Sequence, residues 1–241
     1  VVALPWAYRQ QAGKYVPSVF SVYLYHASSK TCLSTSTAIL LAQTAPLRIA
    51  IFASGKGSNA QQLLAHFAST GVAEVALLVS NKQSSGVFDL GRRHRVPTVW
   101  LVQQQHADGP TLLQLLQRYH IDLVVLAGYL KLIPAEVVTA YPRRILNIHP
   151  SLLPAHGGQG MYGARVHQAV LDQGDAHSGI TIHYVDEVYD RGEVIFQERL
   201  PVQAGWTAAQ LQKAIHQLEH IHFPVVVEKV CRELRSQHDK S

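Results

Sequence analysis

Arg48-Ile49-Ala50-Ile51-Phe52-Ala53-Ser54-Gly55-Lys56-Gly57-Ser58-Asn59 sets the class of fold. A short apolar run enters a glycine loop, and the loop opens into a stretch carrying Gln61, Leu63 and Leu64 that reads as helix. Strand, glycine loop and helix in that order form an anion site. The glycines let the backbone turn tightly and approach a ligand, while free amides and the helix dipole favour a phosphate. Ser58 and Asn59 add side-chain hydrogen bonds or cap the helix. The Gly-Lys-Ser or Gly-Lys-Thr ending of a nucleotide-triphosphate loop is missing at the required spacing, and so is the third glycine of a dinucleotide fingerprint. What remains is a phosphate on a small molecule, set against the plainer reading of a glycine-rich β–α turn.

From Leu47 onward, short apolar runs alternate with amphipathic stretches, as in α/β proteins. The pattern predicts strands over Arg48–Ala53, Val75–Ser80, Thr98–Leu101, Leu123–Ala127 and Ile145–Ile148. It predicts helices over Asn59–Ser69, Gly86–His94, Thr111–Tyr119 and Ala135–Ala140. Continuous apolar strands indicate parallel pairing with both faces covered. Ile180–Tyr184 and Val194–Leu200 read as two more strands, pairing antiparallel on either side of the acidic turn Asp186–Gly192. Thr207–Leu234 closes as helix, with a break expected near Pro224. The expected architecture is α/β: a single doubly wound, mostly parallel sheet, antiparallel strands near the C-terminal half, and a C-terminal helix.

Hydrophobic residues make up 47% of the 241-residue chain and charged residues 15%, a globular composition with material for a real core. Residues 47–234 form the expected catalytic domain and 235–241 a tail. Residues 1–46 contain no acidic residue and hold no long period; they are expected to be an over-extended or fragmentary start, with a targeting segment or an appendage as alternatives. Ala38–Ala42 is apolar but too short to span a bilayer. Cys32 and Cys231 match no disulfide or metal spacing, so a reducing cytoplasm is expected. The net charge of +5 suits an anionic ligand, yet its Lys and Arg residues are scattered, which favours a phosphorylated small molecule over nucleic acid. No His and carboxylate cluster has metal-ligand spacing.

The stretch Asn147-Ile148-His149-Pro150-Ser151-Leu152-Leu153-Pro154 carries the chemistry. Residues i and i+2 of a strand face the same side, so Asn147 and His149 can converge at the end of the run Ile145-Leu146. Pro150 and Pro154 restrict the residues before them, and the Leu153–Pro154 bond is open to the cis form. An amide donor beside an imidazole suits stabilising an oxyanion while moving a proton.

With Ser54–Asn59, Leu126-Ala127-Gly128-Tyr129-Leu130-Lys131, Asn147–Pro154 and Asp186–Gly192 in this order, residues 47 to 234 resemble the folate-dependent glycinamide ribonucleotide formyltransferases of purine biosynthesis. The resemblance implies a Rossmann-like formyltransferase fold. It also implies direct transfer of a formyl group from the co-substrate 10-formyltetrahydrofolate to the amine of 5-phosphoribosylglycinamide, with no metal, no nucleic acid and no membrane, by a monomer or homodimer. By the same resemblance, Gly57, Ser58 and Asn59 match the substrate phosphate loop, and Leu130, Lys131, Leu132 and Ile133, with Asn147, match the folate contacts. Asn147, His149 and Asp190 match the catalytic amide, imidazole and carboxylate, and Glu219 a glutamate near the substrate amine. The chemistry gives these roles a reason: the attacked carbonyl oxygen becomes anionic, and a carboxylate that raises the His149 pKa favours the charged imidazole that would stabilise it. Asp186 competes with Asp190 for that place.

The chain departs from the family in several places. Ala155–Gly163 is glycine-rich, with alanine where lysine is common, and is expected to be a mobile loop. Lys131 stands where arginine is common, and Gln103–Leu112 offers no clear basic folate contact. A 10-formyltetrahydrofolate hydrolase shares the Asn-x-His pair but usually adds a regulatory domain larger than 46 residues and departs from the phosphate loop. A methionyl-tRNA formyltransferase carries a basic loop after Leu-Leu-Pro and a separate C-terminal domain. A non-catalytic phosphate-binding module explains the glycine loop and nothing else.

Overall fold

A computed structural model describes residues 46–102 and 104–238. Residues 1–45, Gln103 and 239–241 lie outside the described residues, and with them nearly all of the expected 1–46 extension and the end of the 235–241 tail. The described chain forms seven strands and six helices. They are β1 (Leu47–Phe52), α1 (Ser58–Thr70), β2 (Ala73–Ser80), α2 (Val87–His94), β3 (Thr98–Trp100), α3 (Gly109–Arg118) and β4 (Leu123–Leu126). Then come α4 (Ala135–Ala140), β5 (Ile145–His149), α5 (Ala164–Gln173), β6 (His177–Tyr184), β7 (Val194–Pro201) and α6 (Ala208–His238).

The strands make one sheet in the order β3-β2-β1-β4-β5-β6-β7. From β3 to β5 every pairing is parallel, and β6 and β7 join antiparallel. Alternation along β1 shows why the central strands are apolar throughout. Ile49 and Ile51 point into one core with Leu63 and Phe67 of α1, Leu90 of α2, Val170 of α5 and Leu211, Ile215 and Phe223 of α6. Ala50 and Phe52 point into the other, with Leu112 and Leu116 of α3 and Val137 of α4. Both faces are covered, which is the doubly wound arrangement. At about 25 cal/mol per Å² of apolar surface, a side chain such as Phe223, with no exposed surface, contributes roughly 2 to 3 kcal/mol.

The chain leaves β1 for β2 on one side and later returns to β4 on the other. That reversal opens a crevice at the carboxyl ends of β1 and β4, where ligands of such sheets bind.

One expectation is corrected and one helix is added. The C-terminal helix is not broken at Pro224; α6 runs from Ala208 to His238 with the proline inside it. A proline costs a helix about 3 kcal/mol by losing one backbone bond and crowding the preceding turn. Phe223, Val226, Val227, Val230 and Cys231 are buried around and beyond it, so packing offsets that loss and continues the helix into part of the expected tail. The stretch after the Leu-Leu-Pro turn also contains a helix that the sequence reading left out, α5, which buries Val166, His167 and Val170. Among the described residues no helix is long and apolar enough to cross a membrane.

Candidate functional site

Three loops build the crevice, and they are fastened to one another. Ser54 at the end of β1 donates its amide to the Gly128 carbonyl at 3.0 Å. Its hydroxyl donates to Asn81 Oδ1 at 2.6 Å and accepts from the Leu130 amide at 3.1 Å. One serine thus ties the loops after β1, β2 and β4. Gly55 offers its carbonyl to the Gly86 amide and to the Ser85 hydroxyl, each at 3.0 Å. Gly86 packs so closely that an added Cβ would lie 2.1 Å from the Lys56 carbonyl oxygen.

Gly57 precedes α1 in the left-handed region, with φ 81°, which a side chain would oppose. The helix that follows has no acidic residue in its first turn, so nothing there competes with an anion for its positive end. Lys56, Lys82 and Lys213 line the same cavity.

The cavity measures about 880 Å³ and is lined by Gly57, Ser58, Asn59, Leu130, Lys131, Leu132, Ile133, Asn147, His149, Asp190 and Glu219. Every site residue expected from sequence therefore faces one space. Ile133 is buried in its wall, and Leu132, 41% exposed, sits at its rim.

Asn147 and His149 occupy the last residues of β5, on the side of the sheet shared with Ile145. Asn147 Nδ2 lies 3.4 Å from Asp190 Oδ1, and His149 Nδ1 lies 3.4 Å from Asp190 Oδ2. Asp190 takes a left-handed backbone, φ 57°, and accepts the Gly158 amide at 2.8 Å. Asp186, the competitor, accepts the Val188 amide at 2.9 Å and so closes its own turn. The carboxylate that meets the imidazole is Asp190.

Burial acts to raise the Asp190 pKa, but the neighbouring His183 ring, the His149 charge and the Gly158 amide outweigh it, and the carboxyl lies below its usual range. His149 is only 4% exposed, and burial pulls its pKa below the ordinary value. Asp190 and the His156 carbonyl push it back up without reversing the sign. The expected elevation of the His149 pKa is thus not found, because desolvation of a buried cation is the larger effect.

Three polar residues were missed by sequence reasoning. His183 on β6 stands directly opposite Asn147 in the antiparallel register, and the two side chains meet at 3.1 Å. His183 Nδ1 donates to the Tyr184 carbonyl at 2.8 Å, so its Nε2 accepts from the Asn147 amide when the ring is neutral. His167 on α5 is 1% exposed, and burial with neighbouring His216 and His149 lowers its pKa to about 4. Thr181, opposite His149, accepts the Leu153 amide at 2.9 Å and donates to the Ser151 carbonyl at 2.7 Å, which pins the Leu-Leu-Pro turn. The Leu153–Pro154 bond is cis. The one available signal was the alternation of Thr181 and His183 along a strand; their partners depend on register.

Glu219 of α6 is 6% exposed and accepts Asn59 Nδ2 at 2.8 Å. Burial raises its pKa to about 7 against the opposing effect of Asn59. The phosphate-type loop and a carboxyl that titrates near neutrality are thereby joined by one hydrogen bond.

A family model described as Formyl transferase matches residues 47–227. The chain is 42% identical over 192 residues to the chloroplastic phosphoribosylglycinamide formyltransferase of Arabidopsis thaliana, covering 77% of this chain and 66% of that protein. It is 42% identical over 195 residues to the protein of the same name from Vigna unguiculata, covering 77% of this chain and 61% of that protein. It therefore spans less than two thirds of the length of these relatives. The solved phosphoribosylglycinamide formyltransferase of Bacillus halodurans superposes with a TM-score of 0.69 at 35% identity, covering 76% of this chain and 94% of that one.

Proposed function

We infer the activity from a chain that belongs to the formyl transferase family: it transfers the formyl group of 10-formyltetrahydrofolate to the amine of 5-phosphoribosylglycinamide, a step of purine biosynthesis. One observation carries the reading. Asn147, His149 and Asp190 share a cavity with the Gly57–Asn59 loop, so an amide–imidazole–carboxylate group and a loop suited to phosphate face one space.

In this reading Gly57, Ser58 and Asn59 hold the phosphate, and Leu130, Lys131, Leu132 and Ile133 line the folate side. The amine attacks the formyl carbon, and the carbonyl oxygen takes on negative charge. Asn147 donates to that oxygen and a protonated His149 opposes its charge. Asp190 favours the imidazolium and accepts, directly or through water, the proton released by the amine. As the carbon–nitrogen bond to the folate breaks, His149 returns a proton to the leaving nitrogen. Glu219 faces the amine and keeps it in place. The developing oxyanion is itself an anion beside the imidazole, so protonation of His149 becomes more favourable as the carbonyl oxygen charges.

Tetrahydrofolate release, followed by absorbance with both substrates present, tests the reading. Release that requires the phosphoribosyl amine supports transfer; equal release without it means that water is the acceptor. For the compartment we propose the cytoplasm, supported by Cys231, a buried thiol that forms no disulfide among the described residues. Because two relatives are named as chloroplastic, fractionation of the source cells is the check.

A further inference from the structure

The His149 ring is gripped on the side away from Asp190. Its Nε2 donates to the His156 carbonyl at 2.9 Å. A carbonyl has no proton to give, so Nε2 keeps its hydrogen in both charge states and Nδ1 becomes the nitrogen that gains or loses one. The aim of that carbonyl therefore decides the tautomer.

His156 holds its carbonyl there from an unfavourable backbone. Its φ is 55°, a left-handed conformation in which the Cβ crowds the following carbonyl. The side chain is 8% exposed, and its Nε2 donates to Asp175 Oδ2 at 2.6 Å. Asp175 is in turn anchored to the end of α5, where its amide bonds to the Val170 carbonyl at 3.2 Å. The next residue leaves no slack: a Cβ on Gly157 would lie 2.5 Å from Leu153 Cδ2 and 3.3 Å from Asp190 Cβ.

We propose that His156 and Asp175 are positioning residues for His149: their ring–carboxylate pair pins the left-handed His156 backbone, and the pinned carbonyl sets the tautomer and direction of the His149 imidazole. The kinetic consequence rests on the formyl-transfer reading; the tautomer does not. The charged and titratable groups facing His149 are Asp190 from the turn after β6, His183 from β6, His156 from the loop and His167 from α5. Asp190 approaches Nδ1 and the His156 carbonyl approaches Nε2, so the two influences are separable by atom.

The test uses the full chain with 15N-labelled histidine, comparing wild type with D175A, D175N, H156F and the H156F/D175A pair. In wild type the neutral His149 ring should be the Nε2–H tautomer. In D175A and H156F that preference should weaken and the His149 titration should move to lower pH, because the imidazolium loses a fixed acceptor. Turnover should fall about tenfold with KM for both substrates little changed, as expected for one misaligned hydrogen bond to a charged group. The double variant should be no worse than either single one, since both cut the same tie. D175N should restore most of the loss, because its amide oxygen still accepts from His156 Nε2. Unchanged His149 resonances in D175A and H156F would overturn the proposal, as would additive losses or a D175N as impaired as D175A. A wild type with no transfer activity would sink the functional reading alone, and the resonances would still decide the positioning.

Discussion

Asp190 Oδ2 lies 3.4 Å from His149 Nδ1, while the other oxygen of the same carboxylate lies 3.4 Å from Asn147 Nδ2. One side chain thus meets both groups that the proposed mechanism sets at the reacting carbon. D190N should lower turnover roughly a hundredfold, within the range for loss of general acid–base assistance. The asparagine tolerates the left-handed backbone at this position and keeps an acceptor for the Gly158 amide, so the fold should persist. Asp190 raises the His149 pKa, so its neutralisation should move the His149 limb of a pH–rate profile to lower pH. A limb that stays in place would separate Asp190 from that imidazole.

His183 holds the Asn147 amide from the neighbouring strand. H183F keeps the ring volume and removes the acceptor, leaving the amide with Asp190 alone. Turnover should drop about tenfold with little change in KM, the effect of one lost alignment bond in the transition state. Steady-state kinetics against each substrate checks it, and a wild-type turnover number would show that Asn147 needs no second partner.

Gly86 is not among the residues lining the cavity, yet its missing side chain makes room for the phosphate-type loop. Its φ of −64° suits any residue, so G86A acts only through the Cβ that would lie 2.1 Å from the Lys56 carbonyl. The loop must move. KM for the phosphorylated substrate should rise about tenfold, the equivalent of one weakened charge-assisted bond, while KM for the folate stays near its original value. Equal increases for both would point to general damage instead.

Glu219 links stability to pH. Its folded pKa of about 7 exceeds the ordinary 4.5, so between those values the folded chain keeps a proton that the unfolded chain has released. Stability contributed by the protonated carboxyl is complete below the unfolded value and is lost as pH rises through the folded one. E219Q retains an acceptor for Asn59 and carries no charge. It should therefore be more stable than wild type by about 3 kcal/mol near pH 8, with no difference near pH 4. Urea melts at the two pH values measure this, and curves that coincide at both would refute a buried, titrating Glu219. If the carboxylate also serves the amine, the more stable variant should be the slower enzyme.

Local pattern made the strands of the sheet legible, because parallel strands buried on both faces have to be apolar along their length. It also made the Gly57–Asn59 loop and the Asn147–His149 pair legible, since each is a short segment whose backbone geometry follows from its own residues. The helix Ala164–Gln173 was less visible: its buried positions are Val166, His167 and Val170, and a histidine facing the core interrupts the apolar stripe. Pro224 misled for the opposite reason. A local rule predicts a break, but apolar side chains of α6 packed against the sheet around and beyond it outweigh the lost bond.

The sequence by itself determined the order of the strands, the phosphate-type loop and the amide–imidazole pair, all of which depend on neighbours along the chain. Tertiary structure decided that Asp190, which the resemblance favoured over Asp186, meets His149, that His183 stands across from Asn147, and that the His156 carbonyl meets His149 Nε2. Those pairings depend on strand register and on how a turn closes. Register is set by the packing of whole faces, and no short stretch of residues carries that information.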